Sequence, residues 1–357
     1  MWERVAGQDR AVALLQHAAE RPVHSYLLAG PRGSGVEEAA RCFAAALIAP
    51  DGDERAWGLA LRGRHPDVVE VDPPESILRV ETAKVIVEEA HRSPIEGDRK
   101  VIVLFDAERL NEAAANKLLK TIEEPPPTTH IVLLTAAPDE LLATIRSRCQ
   151  RVDFGTLDEA SVRATLVESG IDAAHAATVA RLAGGRLDRA RALAGRLGPL
   201  RAAFANAAAS LDGTGAAVAE QAEHLQGAIV ATMAELEATH DQEAEDLAAE
   251  LEAAGYPERT ANALKRRLVE RHKREHRRAR SDALVEGITA LETVYRDALA
   301  GPDAPAINTD RPLVAAQPRS CDEALRVCRE ARDVLGEFNP SESLLLERLL
   351  LHLPGSA

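Results

Sequence analysis

Residues Gly30-Pro31-Arg32-Gly33-Ser34-Gly35-Val36-Glu37 have the spacing of a loop that wraps phosphate. With glycine at 30, 33 and 35 they match the frame G-x-x-x-x-G-K-[ST] up to its last two positions. Glycine is needed there so that backbone N–H groups can surround an anion at a helix N-terminus. The next two positions should be Lys, for the β and γ phosphates, and Ser or Thr, for Mg²⁺. This chain has Val36 and Glu37 instead. Two unit charges ~4 Å apart interact by roughly 4 kcal/mol at an effective dielectric near 20. Replacing Lys by Val and adding a carboxylate should cost several kcal/mol against a triphosphate. At ~1.4 kcal/mol per decade, the expected loss of affinity is three or more orders of magnitude.

A second position bears on the same chemistry. The apolar run from Val101 to Phe105 ends in Asp106, where an acid could coordinate Mg²⁺. A hydrolase of this kind wants Glu next, to polarise the attacking water. Here that residue is Ala107, with Glu108 displaced by one. Asp106 alone reads equally well as the cap of a turn.

The elements that must hold these residues are legible from periodicity. Up to about residue 154, short apolar runs at 26–29, 68–71, 101–105 and 131–135 alternate with helical stretches, which predicts a parallel α/β sheet. The 101–105 run is apolar throughout, as in a strand covered on both faces. Asn111 can cap a helix running to Glu124, which Pro125-Pro126-Pro127 stops. Residues 155–196 predict a compact helical unit broken at Gly184-Gly185. The remainder, 197–357, reads as helix apart from Gly255-Tyr256-Pro257, which makes a long hairpin of about 214–300, and a proline-rich linker at 301–318.

Several blocks occur in one order: Gly7-Gln8, His24-Ser25-Tyr26-Leu27-Leu28, the glycine loop, His65-Pro66-Asp67, then Ala114-Ala115-Asn116-Lys117-Leu118-Leu119-Lys120-Thr121-Ile122-Glu123-Glu124-Pro125-Pro126, and Ser147-Arg148-Cys149. In that order and spacing they resemble the AAA+ clamp-loader subunits of bacterial DNA polymerase III. The altered loop makes the match closest to the delta-prime type, which does not hydrolyse ATP. The resemblance is specific over 1–154, looser over 155–196, and rests on helical pattern alone beyond that.

It implies an AAA+ P-loop core, a small helical lid and an all-α collar that joins the chain to its neighbours. In this family the Ser-Arg-Cys triplet ends a helix facing the next subunit, so Arg148 is expected to act as an arginine finger, with Ser147 and Cys149 flanking it. A guanidinium is permanently charged and forks onto phosphate oxygens. The competing reading is that Arg148 caps its own helix. The lid Arg of the family falls at Leu187, with Arg186 and Arg189 on either side. Thr135 keeps a hydroxyl in the region corresponding to sensor 1. The implied partners are delta and gamma/tau subunits, with the sliding clamp and primer–template DNA met through the assembled complex. No ATP, Zn²⁺ or other cofactor is expected on the chain itself. The family's four-cysteine zinc module is missing, because no cysteine lies between Cys42 and Cys149. Two rivals remain: an active gamma/tau-like ATPase subunit, and another AAA+ adaptor.

Bulk properties agree. At 357 residues the chain has room for two or three cores. No apolar run is long enough for a membrane span, and the first residues carry no signal pattern, which predicts a cytoplasmic protein. Four scattered cysteines are too few for a disulfide framework; Cys321 and Cys328 read as packed thiols. A net charge of −14 makes the whole chain a poor autonomous DNA binder, without excluding a local basic face. Such a face exists in the hairpin, whose first helix is acidic (Glu235 to Glu252) and second basic (Lys265 to Arg280). Antiparallel packing would set these charges against each other and neutralise them. The alternative is contact with a nucleic acid or protein.

Overall fold

The computed structural model describes residues 1–72, 77–314, 316–337 and 340–354. Five parallel strands form the sheet: β1 (Ser25–Ala29), β2 (Val68–Val71), β3 (Lys100–Leu104), β4 (Thr129–Thr135) and β5 (Gln150–Asp153). Their order is β2-β3-β4-β1-β5. Four of them lie on the apolar runs seen in the sequence. The fifth, β5, has no such run, since only Val152 is buried in an otherwise exposed edge strand.

Helices cover both faces, because alternate strand residues point to opposite sides. Tyr26 and Leu28 of β1 face one cluster, together with Leu15 of α1 (Asp9–Glu20), Phe43 and Leu47 of α2 (Val36–Ile48) and Ala60 of α3 (Glu54–Leu61). Leu27, between them, faces the other cluster with Ile86 of α4 (Val80–Ala90), Leu118 and Ile122 of α5 (Glu112–Glu123) and Ile145 of α6 (Ala143–Arg146). Asn111 caps α5 as expected, its side chain accepting from the Ala114 N–H at 2.8 Å. This is a parallel α/β core with helices on both faces, and the described residues beyond it form helices and their connections.

Further helices are α7 (Glu159–Glu168), α8 (Ala173–Ala183), α9 (Leu187–Ala194), α10 (Leu197–Ser210), α11 (Gly215–Ala254), α12 (Glu258–Ala300), α13 (Pro318–Glu337) and α14 (Glu342–Leu351). Of the predicted linker at 301–318, residue 315 lies outside the described residues. Among the described residues no helix is long and apolar enough to cross a membrane.

The chain divides into two compact units. One comprises Met1–Thr165, Gly185–Asp188 and Ala244–Arg274; the other comprises Leu166–Gly184, Arg189–Glu243 and Glu275–Ala357. The tip of the α11–α12 hairpin therefore belongs with the α/β core. Leu247, Leu251, Leu264 and Leu268 close the tip internally. Its charges reach outward: Glu250 to Arg62 at 2.9 Å, Arg267 to Glu89 at 3.4 Å, and Arg274 to Asp72 at 4.0 Å. Arg271 donates to the Arg62 carbonyl at 2.6 Å. The expected neutralisation within the hairpin is thus only partial. His276–Glu237 (3.0 Å) and His240–Glu275 (3.1 Å) join its two helices, while Arg267, Arg271 and Arg274 turn to groups of the core.

Within the second unit, buried Asp297 organises the segment after α12. It accepts from the Ile307 N–H at 3.0 Å and from the backbone and side chain of Asn308, both at 2.8 Å. Cys321 and Cys328 are fully buried here, and burial pushes the Cys328 thiol up to about 12.

Candidate functional site

The glycine loop leaves β1 with the Gly30 N–H donating to the Thr135 carbonyl at 3.0 Å, so it starts at the C-terminal edge of the sheet. Gly33 (φ 77°) and Gly35 (φ 88°) are left-handed, and Gly35 is the residue from which α2 departs. At Gly33 a Cβ would lie 1.9 Å from Asp188 Oδ1, so the Asp188 side chain would have to move to admit one. The backbone geometry of a phosphate loop is therefore present.

The side chains are different in kind. Val36 is buried in the core cluster with α1 and β1 residues, and presents no cation to the cavity above it. Glu37 and half-buried Glu38 line that cavity, together with Gly30, Arg32, Asp106 and Asp188. Its volume is about 80 Å³, against the ~300 Å³ at which drug-sized ligand pockets begin. Four carboxylates line it, Glu37, Glu38, Asp106 and Asp188, against the single cation of Arg32, so they oppose a polyphosphate by the same Coulomb argument as Glu37 alone.

Asp106 follows β3 and is, among the described residues, the one non-glycine with positive φ (48°), a conformation Asp tolerates better than most. Its carboxylate receives Arg32 at 3.0 Å and Arg109 at 3.0 Å. Ala107 is fully buried, so nothing on that residue could polarise a water.

Residues 185–188 close over the loop. Leu187 donates its N–H to the Gly33 carbonyl at 3.1 Å and is itself buried, while Arg186 pairs with Asp188 at 2.9 Å. Arg189, in the other unit, is held by Glu286 at 2.8 Å. Gln8 clamps the far side, its amide donating to the Ser34 carbonyl at 2.9 Å and the Gly155 carbonyl at 2.7 Å. The Gly7-Gln8 block and the glycine loop are thus physically joined.

The Ser147-Arg148-Cys149 triplet follows the single turn α6. Arg148 is exposed, and its Nη1 donates to the Thr144 carbonyl at 2.9 Å and to Ser147 Oγ at 3.3 Å. Its Nε meets Glu123, the last residue of α5. The helix-capping contact and the surface-facing guanidinium therefore coexist. Arg148 does not line the loop's cavity. Cys149 packs on the α4–α5 side of the core, where burial pushes its thiol up to about 12, against the thiolate form.

The His65-Pro66-Asp67 block has a role that the sequence did not disclose. Asp67 is fully buried and accepts from the N–H groups of Ile95 (2.5 Å), Glu96 (2.9 Å) and Gly97 (3.1 Å). His65 accepts from the Asp67 N–H at 3.1 Å, and burial lowers its pKa. The block is a loop organiser beneath the hairpin tip. No local pattern signals this role, because the N–H groups that donate to Asp67 lie 28 to 30 residues away.

Comparison with known proteins gives a match over the same segment. The model of the family described as DNA polymerase III, delta subunit, matches residues 7–158. DNA polymerase III subunit delta' of Bacillus subtilis is 31% identical over 172 residues, which is 46% of this chain and 52% of that protein. Subunit tau of the same organism is 35% identical over 162 residues, 43% of this chain and 29% of that protein. A DNA polymerase III gamma subunit-related protein from Thermotoga maritima aligns over 95% of this chain and 97% of its own, at 19% identity and a TM-score of 0.46. The chain thus spans about half the length of the delta' protein it matches. The matched region resembles the delta-prime subunit of DNA polymerase III, and overall identity does not separate delta' from tau.

Proposed function

We propose that the chain is a non-hydrolysing, delta-prime-like subunit of a bacterial DNA polymerase III clamp loader. It serves as the stator of the ring and offers Arg148 in trans to the nucleotide site of an adjacent motor subunit. The observation that carries this reading is the pair Val36 and Glu37 within a loop whose glycine geometry is otherwise complete. On this reading the loop serves as structure, since it has neither the cation nor the hydroxyl that a triphosphate and Mg²⁺ require.

In this account residues 155–196 form the lid and 197–357 the collar through which the chain joins its delta and gamma/tau neighbours. The sliding clamp and primer–template DNA are reached through the assembled complex. Arg148 is supported as the donor by its exposure and its place at the end of α6. Its contact with Glu123 lies at the surface, with side-chain exposures of 37% and 43%. Such pairs are worth ~0–1 kcal/mol, so the guanidinium can leave Glu123 for a phosphate at small cost. A finger supplied in trans accelerates phosphoryl transfer by ~10³–10⁵-fold in GTPase systems.

The rival reading, an active gamma/tau-like ATPase, draws on the similarity to tau and is opposed by Val36 and Glu37. Equilibrium binding of a fluorescent ATP analogue to the purified chain separates the two. The stator reading expects no saturation at micromolar analogue, and micromolar affinity contradicts it. Co-purification from the native host addresses the adaptor reading, because a stator brings the clamp-loader ring with it.

A further inference from the structure

Between Arg259 and Arg280, α12 carries ten basic residues and two acidic ones, in a chain whose net charge is −14. The first part of this stretch splits by face. On the inner side Arg267, Arg271 and Arg274 meet Glu89, the Arg62 carbonyl and Asp72. On the outer side Arg259, Lys265, Arg266 and Lys273 are exposed. Arg259 and Lys265 form no ion pair among the described residues. Arg266 reaches only the Asn262 carbonyl of its own helix, at 3.3 Å. Lys273 is bridged to Glu270 at 2.9 Å, with both side chains 58% exposed.

Arg259, Arg266 and Lys273 recur every seven residues, which places them ~10 Å apart and within about 40° around a helix axis. The row spans roughly 21 Å. Like charges aligned in this way repel one another, and of the three only Lys273 has an ion-pair partner among the described residues.

We infer that the outer face of α12 near the hairpin tip is a contact surface for the phosphate backbone of double-stranded nucleic acid. A protein partner would be expected to find a desolvated apolar or aromatic anchor at the centre of the patch. The outer face offers Val269 alone, 50% exposed. A phosphate backbone needs only spaced cations, each contact releasing counterions from a polyanion with one charge per ~1.7 Å. The lack of aromatic residues on this face argues against single strands, which bind by base stacking as well as charge. The surface lies on this chain itself, and the inference goes beyond the reading above, in which DNA is met only through the assembled complex.

The test is fluorescence anisotropy of a labelled duplex of arbitrary sequence with the isolated full-length chain, without nucleotide, over a salt series. The inference expects non-specific binding, Kd ~10⁻⁴–10⁻⁶ M near physiological salt, with log K falling linearly in log salt. The variant carrying Arg259→Gln, Lys265→Gln, Arg266→Gln and Lys273→Gln should bind at least tenfold more weakly at low salt, with the slope reduced by about 3. A control change at the exposed Arg163 in α7, Arg163→Gln, should leave both quantities unaltered. No binding by the unaltered chain, or equal binding by the fourfold variant, overturns the inference. Tighter binding of poly-glutamate than of the duplex at matched charge also overturns it, in favour of an acidic protein partner. Failure here leaves the Arg148 account standing, since that account is read from ATP turnover by the ring.

Discussion

Arg32 and Asp106 are joined across the glycine loop, one guanidinium nitrogen lying 3.1 and 3.0 Å from the two carboxylate oxygens. The acid that ends β3 thus faces an internal cation, and Arg109 supplies a second. Asp106→Asn should weaken the chain by about 1 kcal/mol in urea unfolding, as a partly exposed pair does. It should leave ATP turnover by a reconstituted ring unaltered. A variant that folds normally but stops the ring would mean Asp106 holds a metal.

The double change Val36→Lys with Glu37→Thr restores the missing cation and hydroxyl to a loop whose glycines already have the required geometry. It should raise affinity for a fluorescent ATP analogue by at least 100-fold, about 2.7 kcal/mol. If titration shows no gain, then Asp188 and the closed 185–188 segment, rather than the two substituted residues, exclude nucleotide.

Asp67, itself fully buried, satisfies three backbone N–H groups of the exposed loop residues Ile95, Glu96 and Gly97. Asp67→Ala removes all three hydrogen bonds to a charged acceptor, each worth roughly 1.5–3 kcal/mol before water partly replaces it. Denaturant unfolding should show a net loss of about 3 kcal/mol or more. A loss below 1 kcal/mol would show that the 95–97 loop holds its shape unaided.

His65 and His130 are both buried, and burial lowers the pKa of each below its ordinary value of 6.5. Below that pH the unfolded chain takes up these protons more readily than the folded one, so stability present at pH 7 should be lost as pH falls through 6.5. Protonating His65 would also remove the acceptor of the Asp67 N–H. Unfolding midpoints between pH 7.5 and 5 should therefore drop, and less steeply in a His65→Gln, His130→Gln variant. An equal slope in both proteins would assign the acid sensitivity elsewhere.

Much of this architecture could be read from residue pattern, and the exceptions have physical causes. The three fully buried strands, β1, β3 and β4, announce themselves as apolar runs because helices cover both of their faces. β5 does not, because an edge strand with one buried valine looks like loop. Asn111 and the glycine loop were readable because capping and left-handed turns demand particular residue types at fixed offsets. Arg267 was not, because its partners Glu89 and Pro66 lie 178 and 201 residues away, beyond any local pattern. The loop's altered chemistry was visible in two letters, Val36 and Glu37. The approach of Asp188 to Gly33 was hidden for the same reason as the contacts of Arg267.

The central claim is that Arg148 acts on a neighbour's nucleotide, and ATP turnover by a ring reconstituted with Arg148→Ala measures it directly. The account predicts that the ring assembles normally while turnover falls at least several-fold. Arg148→Lys should fail to rescue it, since an ammonium cannot fork onto two phosphate oxygens, and Glu123→Gln should leave it near the original rate. Unchanged turnover in the Arg148→Ala ring would contradict the account.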